Sequence, residues 1–416
     1  MGKPTGVILV SLLKFKPIKE VLIVVISRTQ KICLGVITVV LIAGCSAAGK
    51  RSSFEKPMAK VDVMREIAQT GNLRPVDFAG KNLSDLDLNN SNFQGANLKS
   101  TYFRYSKLKE SNFQNADLSG ANLKDTNMAG SLLAGANLKG ANLEDADLRG
   151  AVLDGADLSN ANLTNAKLDQ ASMRNINLAG ATLTDASLVK AYLGDSNLSG
   201  VDLRQVNLKG ADLFGTILRG VNFESTNLKS VDLSHTDLSG ANLVRANLTY
   251  ANLQHALLFG ADFQHARLEK SDLRGANAYR ASFVSANLKG AQFRGANLTE
   301  ANFSNADMRN GNLHEVTANH ASFVWTDLSN SILRKSDFTS CNFSNATLVN
   351  TNIKKSKLAF TKLISANFSG SDMREVDFAG ADISGANLKD TNMRGAKNMH
   401  RLIGLERAIN LDQSML

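Results

Sequence analysis

Proline is nearly missing from this chain of 416 residues: there are four, and the last is Pro75. More than 300 residues follow without one, in a composition dominated by Ala, Asn, Leu, Ser and Gly. Length alone would suggest two or three globular domains, and this composition argues against them. Cysteine is equally scarce. Three are present, two of them in the first 45 residues, too few to staple a fold of this size. Glycine, at 31 residues, does not recur every third position, which excludes collagen. Disorder is excluded because a large apolar residue returns at strictly regular intervals.

The first segment reads as an address. Arg28 and Lys31 precede an apolar run over residues 32–44 that ends at Cys45-Ser46. A basic region, a short apolar core and small residues before a cut site describe a secretory signal. A bilayer-spanning helix needs about 20 apolar residues, so this run is too short to be one. The ending Leu41-Ile42-Ala43-Gly44-Cys45 resembles a bacterial lipobox. That resemblance implies cleavage between Gly44 and Cys45 and a lipidated Cys45, and Ser46 is the residue expected for outer-membrane sorting. Residues 1–27 do not fit a signal peptide. They are expected to include an extension upstream of a true start within 21–26, a reading that peptides from residues 3–19 in the unprocessed precursor would refute. The expected division is a signal peptide over 1–44, a lipidated tether with a cap helix over 45–70, a repeat region over 71–393 and a C-terminal cap over 394–416. The apolar spacing predicts a helix over 61–69. At the other end, Met399, Leu402, Ile403, Ala408, Ile409 and Leu411 are expected to form an amphipathic cap, with end-to-end pairing of two copies as the alternative.

Between these ends the chain repeats with a period of five. Sites 73, 78, 83 and onward to 393 number 65, and 63 hold Leu, Phe, Met or Ile; only Ala278 and Ala318 break the rule. Two residues earlier stands Ala at 33 of the 65, and the residue between is Asn or Asp at 45. Neither a helix of period 3.6 nor a strand of period two keeps such residues on one face. A chain that turns once every five residues does, with the large and small residues both inward. Four sides then make a coil of 20 residues, and coils stack at about 4.8 Å. Ala121-Asn122-Leu123-Lys124-Asp125 is a representative unit. In these features the chain resembles a pentapeptide-repeat protein, which implies an all-β, right-handed quadrilateral β-helix. The expected stack has about 16 coils with short helical caps, roughly 75–80 Å long at that spacing. No insertion interrupts the repeat, so no pocket is expected.

Catalytic chemistry is not visible. Cys341 occupies an inward small-residue site and reads as a buried stand-in for Ala or Ser. His235 and His255 should sit one above the other without a third ligand, so no metal and no cofactor is expected. P-loop, dinucleotide and nucleophile-elbow patterns are missing, and the chain is read as a non-enzyme. Two surface features remain. Arg274, Arg294, His314, Arg334, Lys354, Arg374 and Arg394 should form one outward column, with Lys335 and Lys355 beside it, a candidate strip for an anionic polymer or lipid head group. Phe259 and Tyr279 should stack as a small apolar partner patch.

Charge narrows the partner. Some pentapeptide-repeat proteins resemble DNA in shape and charge and bind type II topoisomerases, a role that needs an acidic rod. Residues 71–393 hold 32 Lys and Arg against 32 Asp and Glu, and the formal +9 of the chain comes from outside them. The expectation is therefore a non-catalytic, lipid-anchored cell-envelope protein, outer membrane favoured. It would act as an interaction surface or spacer toward a protein or anionic envelope polymer, without nucleic acid. The alternative is a surface-exposed or secreted protein acting on a host or partner cell.

Overall fold

In a computed structural model of the protein, the structure describes residues 56–70 and 75–411. Gly44, Cys45 and the signal region lie outside them. Helix α1, Lys60–Thr70, leads in. It buries Val63 completely, and Met58 and Ile67 pack against the same core. The Met58 N–H donates to the Asn82 carbonyl at 2.9 Å, joining this lead-in to the first coil.

From residue 76 each pentapeptide repeats one local structure. In the unit 121–125, Ala121 and Leu123 are fully buried. Asn122 between them pairs in parallel with Tyr102 on the coil below and Asn142 on the coil above. The Asn122 N–H donates to the Thr101 carbonyl at 2.9 Å and the Leu123 N–H to the Asn142 carbonyl at 2.7 Å, so hydrogen bonds run along the stack in both directions. The corner follows: the Thr126 N–H returns to the Leu123 carbonyl at 3.2 Å, and Asp125 takes φ +59°. That left-handed corner explains the glycines of the repeat, since a residue with a Cβ loses roughly 1–2 kcal/mol there. The preference for Asn or Asp has its own cause. Asn122 Oδ1 accepts the Lys124 N–H at 3.2 Å, an Asx turn that satisfies the corner's backbone. Stacked amides also bond between coils, as Asn162 Nδ2 does to Asn142 Oδ1 at 3.2 Å. The result is a quadrilateral β-helix in which residues 20 apart are vertical neighbours.

Four inward columns fill the core. One carries Phe263, Phe283, Phe303, Phe323 and Phe343 as a ladder of near-parallel rings with centroids 4.6–5.0 Å apart. Ala278 and Ala318, the two sites that broke the size rule, are fully buried in coils through which this ladder runs. The phenylalanines of the same coils offset the volume that these alanines give up.

Beyond Gly395 the sides lengthen. Asn398, Gly404 and Asn410 take left-handed conformations six residues apart, around short 3-10 turns at Met399–Arg401 and Leu405–Arg407. Ile403 and Ile409 extend two ladders, pairing with Asp382 and Asn387 at offsets of 21 and 22. Met399, Leu402, Ala408 and Leu411 pack on the core. Ile403 and Ile409, expected to join them in an amphipathic cap, are each 51% exposed because they occupy the outward Asn/Asp place of the repeat. The C-terminal cap is thus a widened continuation of the coil.

Candidate functional site

The register aligns the basic column as expected, because the residues two positions before each member are paired in parallel, for example Asp272 with Gln292 and Asn352 with Asp372. Much of its charge is answered locally. Arg274 closes on Asp272 at 2.5 Å and Arg374 on Asp372 at 2.6 Å. Glu315 gathers Arg294 at 3.4 Å and Lys335 at 3.8 Å, and Glu375 gathers Lys354 and Lys355, each at 3.5 Å. Arg334 and Arg394 alone among these candidates have no carboxylate of the described residues within reach, and both are exposed. Eight cations against four carboxylates leave a column that is positive but patterned. The like-charge repulsion of an unbroken ladder is relieved by alternating anions.

The Asp272/Arg274 pair belongs to a local device repeated along the chain. Asp and Arg two residues apart flank one inward side chain, and the guanidinium folds back onto the carboxylate at Asp147/Arg149, Asp202/Arg204, Asp307/Arg309 and Asp372/Arg374, each at 2.6 Å. The bonded guanidinium holds the carboxyls of Asp147, Asp202, Asp307 and Asp372 below the ordinary carboxylate range.

The two aromatic candidates meet. Phe259 and Tyr279 stack with ring centroids 5.4 Å apart at 28°. Tyr279 is anchored by its hydroxyl, which donates to Glu300 Oε1 at 2.9 Å, and by Arg280 4.9 Å above its ring. Leu257, 45% exposed, stands two residues before Phe259, so the apolar patch is larger than the two rings. His235 and His255 stack at 5.2 Å with Phe214 beyond His235. Among the described residues no group of three His, Cys, Asp or Glu side chains is arranged to hold a metal ion. Cys341 is buried, its Sγ donates to the Ala318 carbonyl at 2.8 Å, and burial pushes its thiol pKa up. No described helix is long and apolar enough to cross a membrane.

One feature contradicts the expectation that a repeat without insertions has no pocket. Gln205 is the single fifth-position residue among those described between Gly80 and Gly395 that does not take a left-handed φ. On either side of it the ladder opens: Thr182 does not pair with Asp202, nor Asn207 with Asn227. Clefts of about 400 and 520 Å³ result, meeting at Arg204, Gln205 and Ser225. The inward row changes composition at the same place. Val201, Val206, Thr216, Val221, Thr226, Val231 and Thr236 occupy seven of its eight small sites over two coils, whereas the coils below and above are lined mainly by Ala. Branched side chains take more room than Ala, and added volume in a packed core forces backbone shifts. Val206, Ala211 and Val231 are 5–6% exposed, as is Ala181, where most inward small residues are near 0–1%. This run of Val and Thr is a signal that a reading focused on the large residues passes over.

Comparison with known proteins agrees with the repeat. The family described as "Pentapeptide repeats" matches in overlapping stretches from 72 to 264 and from 321 to 395, and "Pentapeptide repeat region" matches 246–323. No curated protein matches the chain. Among solved structures, HetL from the cyanobacterium Nostoc sp. strain PCC 7120, a protein involved in heterocyst differentiation regulation, is 26% identical, with 62% of this chain and 96% of that one covered and a TM-score of 0.21. A thylakoid-lumen pentapeptide-repeat protein of Arabidopsis thaliana is 32% identical over 26% of this chain and 67% of that one, at TM-score 0.14. QnrB1, a plasmid-mediated fluoroquinolone resistance protein, is 15% identical over 56% and 95%, at TM-score 0.21.

Proposed function

Because this chain belongs to the pentapeptide-repeat family, with the right-handed quadrilateral β-helix of that family, we propose that it is a non-catalytic, lipid-anchored protein of the cell envelope. Its walls serve as an interaction surface and its length as a spacer. The observation that carries this reading is the long vertical register. Parallel pairings at an offset of 20 run from Asp77 to Lys397, with two gaps, and present side chains in long outward columns. A surface of this kind recognises extended partners through repeated contacts at the coil spacing. The basic column, positive after pairing, suits a protein or polymer that carries spaced anions.

Cys45 carries the anchor in this proposal. Three acyl chains, at about 0.8 kcal/mol per buried CH₂, hold a protein on a membrane stably. The neutral repeat region, with 32 basic and 32 acidic residues, argues against imitation of DNA. Labelled palmitate tests the anchor: incorporation in the wild type and loss in Cys45→Ala are expected, and label retained by the variant, or missing from both, overturns it. Protease added to intact cells then separates the two envelope readings. Protection favours a periplasmic protein, and digestion favours one displayed to a host or partner cell.

A further inference from the structure

We propose that the cleft beside Gln205 is a binding site for a small, multiply charged oxyanion, a phosphate or polycarboxylate. The cavity measures about 520 Å³, within the roughly 300–1,000 Å³ of small-ligand sites. Three of its lining residues are Arg204, Lys209 and Lys229, and none is acidic. Asp202 already engages Arg204 at 2.6 Å. Lys209 and Lys229, one coil apart on the same wall, both line the cleft and have no carboxylate of the described residues within salt-bridge distance. The backbone adds donors. Elsewhere in the stack a residue such as Leu188 donates its N–H to the coil above, to Asn207 at 2.9 Å. At the fault, the N–H groups of Leu208 and Gly210 lack their bond to the coil above and that of Asn227 its bond to the coil below, which also leaves the carbonyls of Val206, Asn227 and Lys229 without these donors. The freed carbonyls can be met by water, whereas the freed N–H groups, beside lysines and an arginine, suit an oxyanion, because each donor needs an acceptor and charge-assisted hydrogen bonds are the strong ones.

Size follows from the neighbouring cleft. Asp202 and Glu224 line its walls, so a long polyanion leaving the site in that direction would meet carboxylates. A compact anion avoids them.

Isothermal titration of the full chain with inorganic pyrophosphate and, separately, with citrate tests the proposal. Saturable binding of at least one is expected, and the preferred anion distinguishes a phosphate ligand from a carboxylate one. Lys209→Gln with Lys229→Gln should weaken binding at least tenfold, whereas Lys289→Gln, at the same wall position in a closed part of the stack, should leave it unchanged. A third variant, Val206→Ala with Thr226→Ala, returns two sites of the branched row to Ala without touching a charge. It should slow hydrogen exchange at Leu208 and Asn227 in the absence of ligand and abolish binding. The proposal is overturned if neither anion binds, if Lys289→Gln weakens binding as much as the lysine pair, or if binding survives in the variant whose amides have become protected.

Discussion

Phe303 and Phe323 stack ring on ring, with centroids 5.0 Å apart and planes 4° from parallel. Each is fully buried, so Phe303→Ala removes contacts to the rings above and below together. A loss of about 3–5 kcal/mol is expected from the cavity and lost burial. Since a solenoid's stability is a sum of neighbour terms, the loss should appear as faster hydrogen exchange centred on residues 283–323 before it appears as global unfolding. Uniform exchange along the whole stack would contradict this.

Acid should weaken the stack in a defined window. The Arg309 guanidinium bonded to Asp307 is the foremost cause of its lowered pKa. A lowered folded pKa contributes stability above the unfolded value, about 3.9, and loses it as pH falls through the folded value. Urea midpoints should therefore be level from about pH 7 to 5 and fall below about 4. Asp307→Asn should be less stable than wild type near neutrality, and the two curves should converge at the acid end. Parallel curves down to the lowest pH would refute the assignment.

Trp325 occupies a left-handed corner at φ +59° with 62% of its surface exposed. Releasing a side chain from this region gains roughly 1–2 kcal/mol, offset in part by the entropy of glycine, about 0.5–1 kcal/mol. Trp325→Gly should be neutral to slightly stabilising in thermal melts. The reverse change at Gly275 should do harm, since a Cβ there would come within 2.6 Å of the His255 ring. Gly275→Ala is expected to lower the melting temperature and shift the His255 ring resonances by disturbing its stack with His235.

The basic column supplies a binding prediction. Charge reversal at Arg294, Arg334 and Arg374 should abolish retention on an anionic glycan or lipid column at low salt. Arg334, which has no carboxylate partner, should give the largest single effect. Equal retention of all variants would remove the column from the functional account.

Much of this was legible in the sequence because one period fixes both the turn and the burial. Leu123 and Ala121 face inward for the same reason that Asn122 faces out, and a residue count of 20 converts directly into vertical neighbours such as Phe259 and Tyr279. What the period does not encode is the response of a corner to crowding. Each Val or Thr of the row 201–236 is individually acceptable as a small inward residue, as Val316 and Val376 are elsewhere. Their accumulation over two coils coincides with the open ladder at Gln205. Ion pairing was also hidden: the alignment of Arg274 with Arg294 is arithmetic, whereas the fold-back of Arg274 onto Asp272 depends on rotamers. At the C-terminus, spacing alone did not reveal that Ile403 and Ile409 keep the ladder's outward place.

The five-residue unit separates what holds the molecule together from what it displays. Excising 20 residues from a regular stretch would shorten the stack and leave every column intact. Excising five would preserve an apolar interior and yet rotate everything downstream by a quarter turn, carrying the Arg294–Arg374 face around to the adjoining wall. Surface identity can thus be rewritten by small in-frame losses that the interior hardly registers, a freedom that a fold with one irreplaceable core does not have.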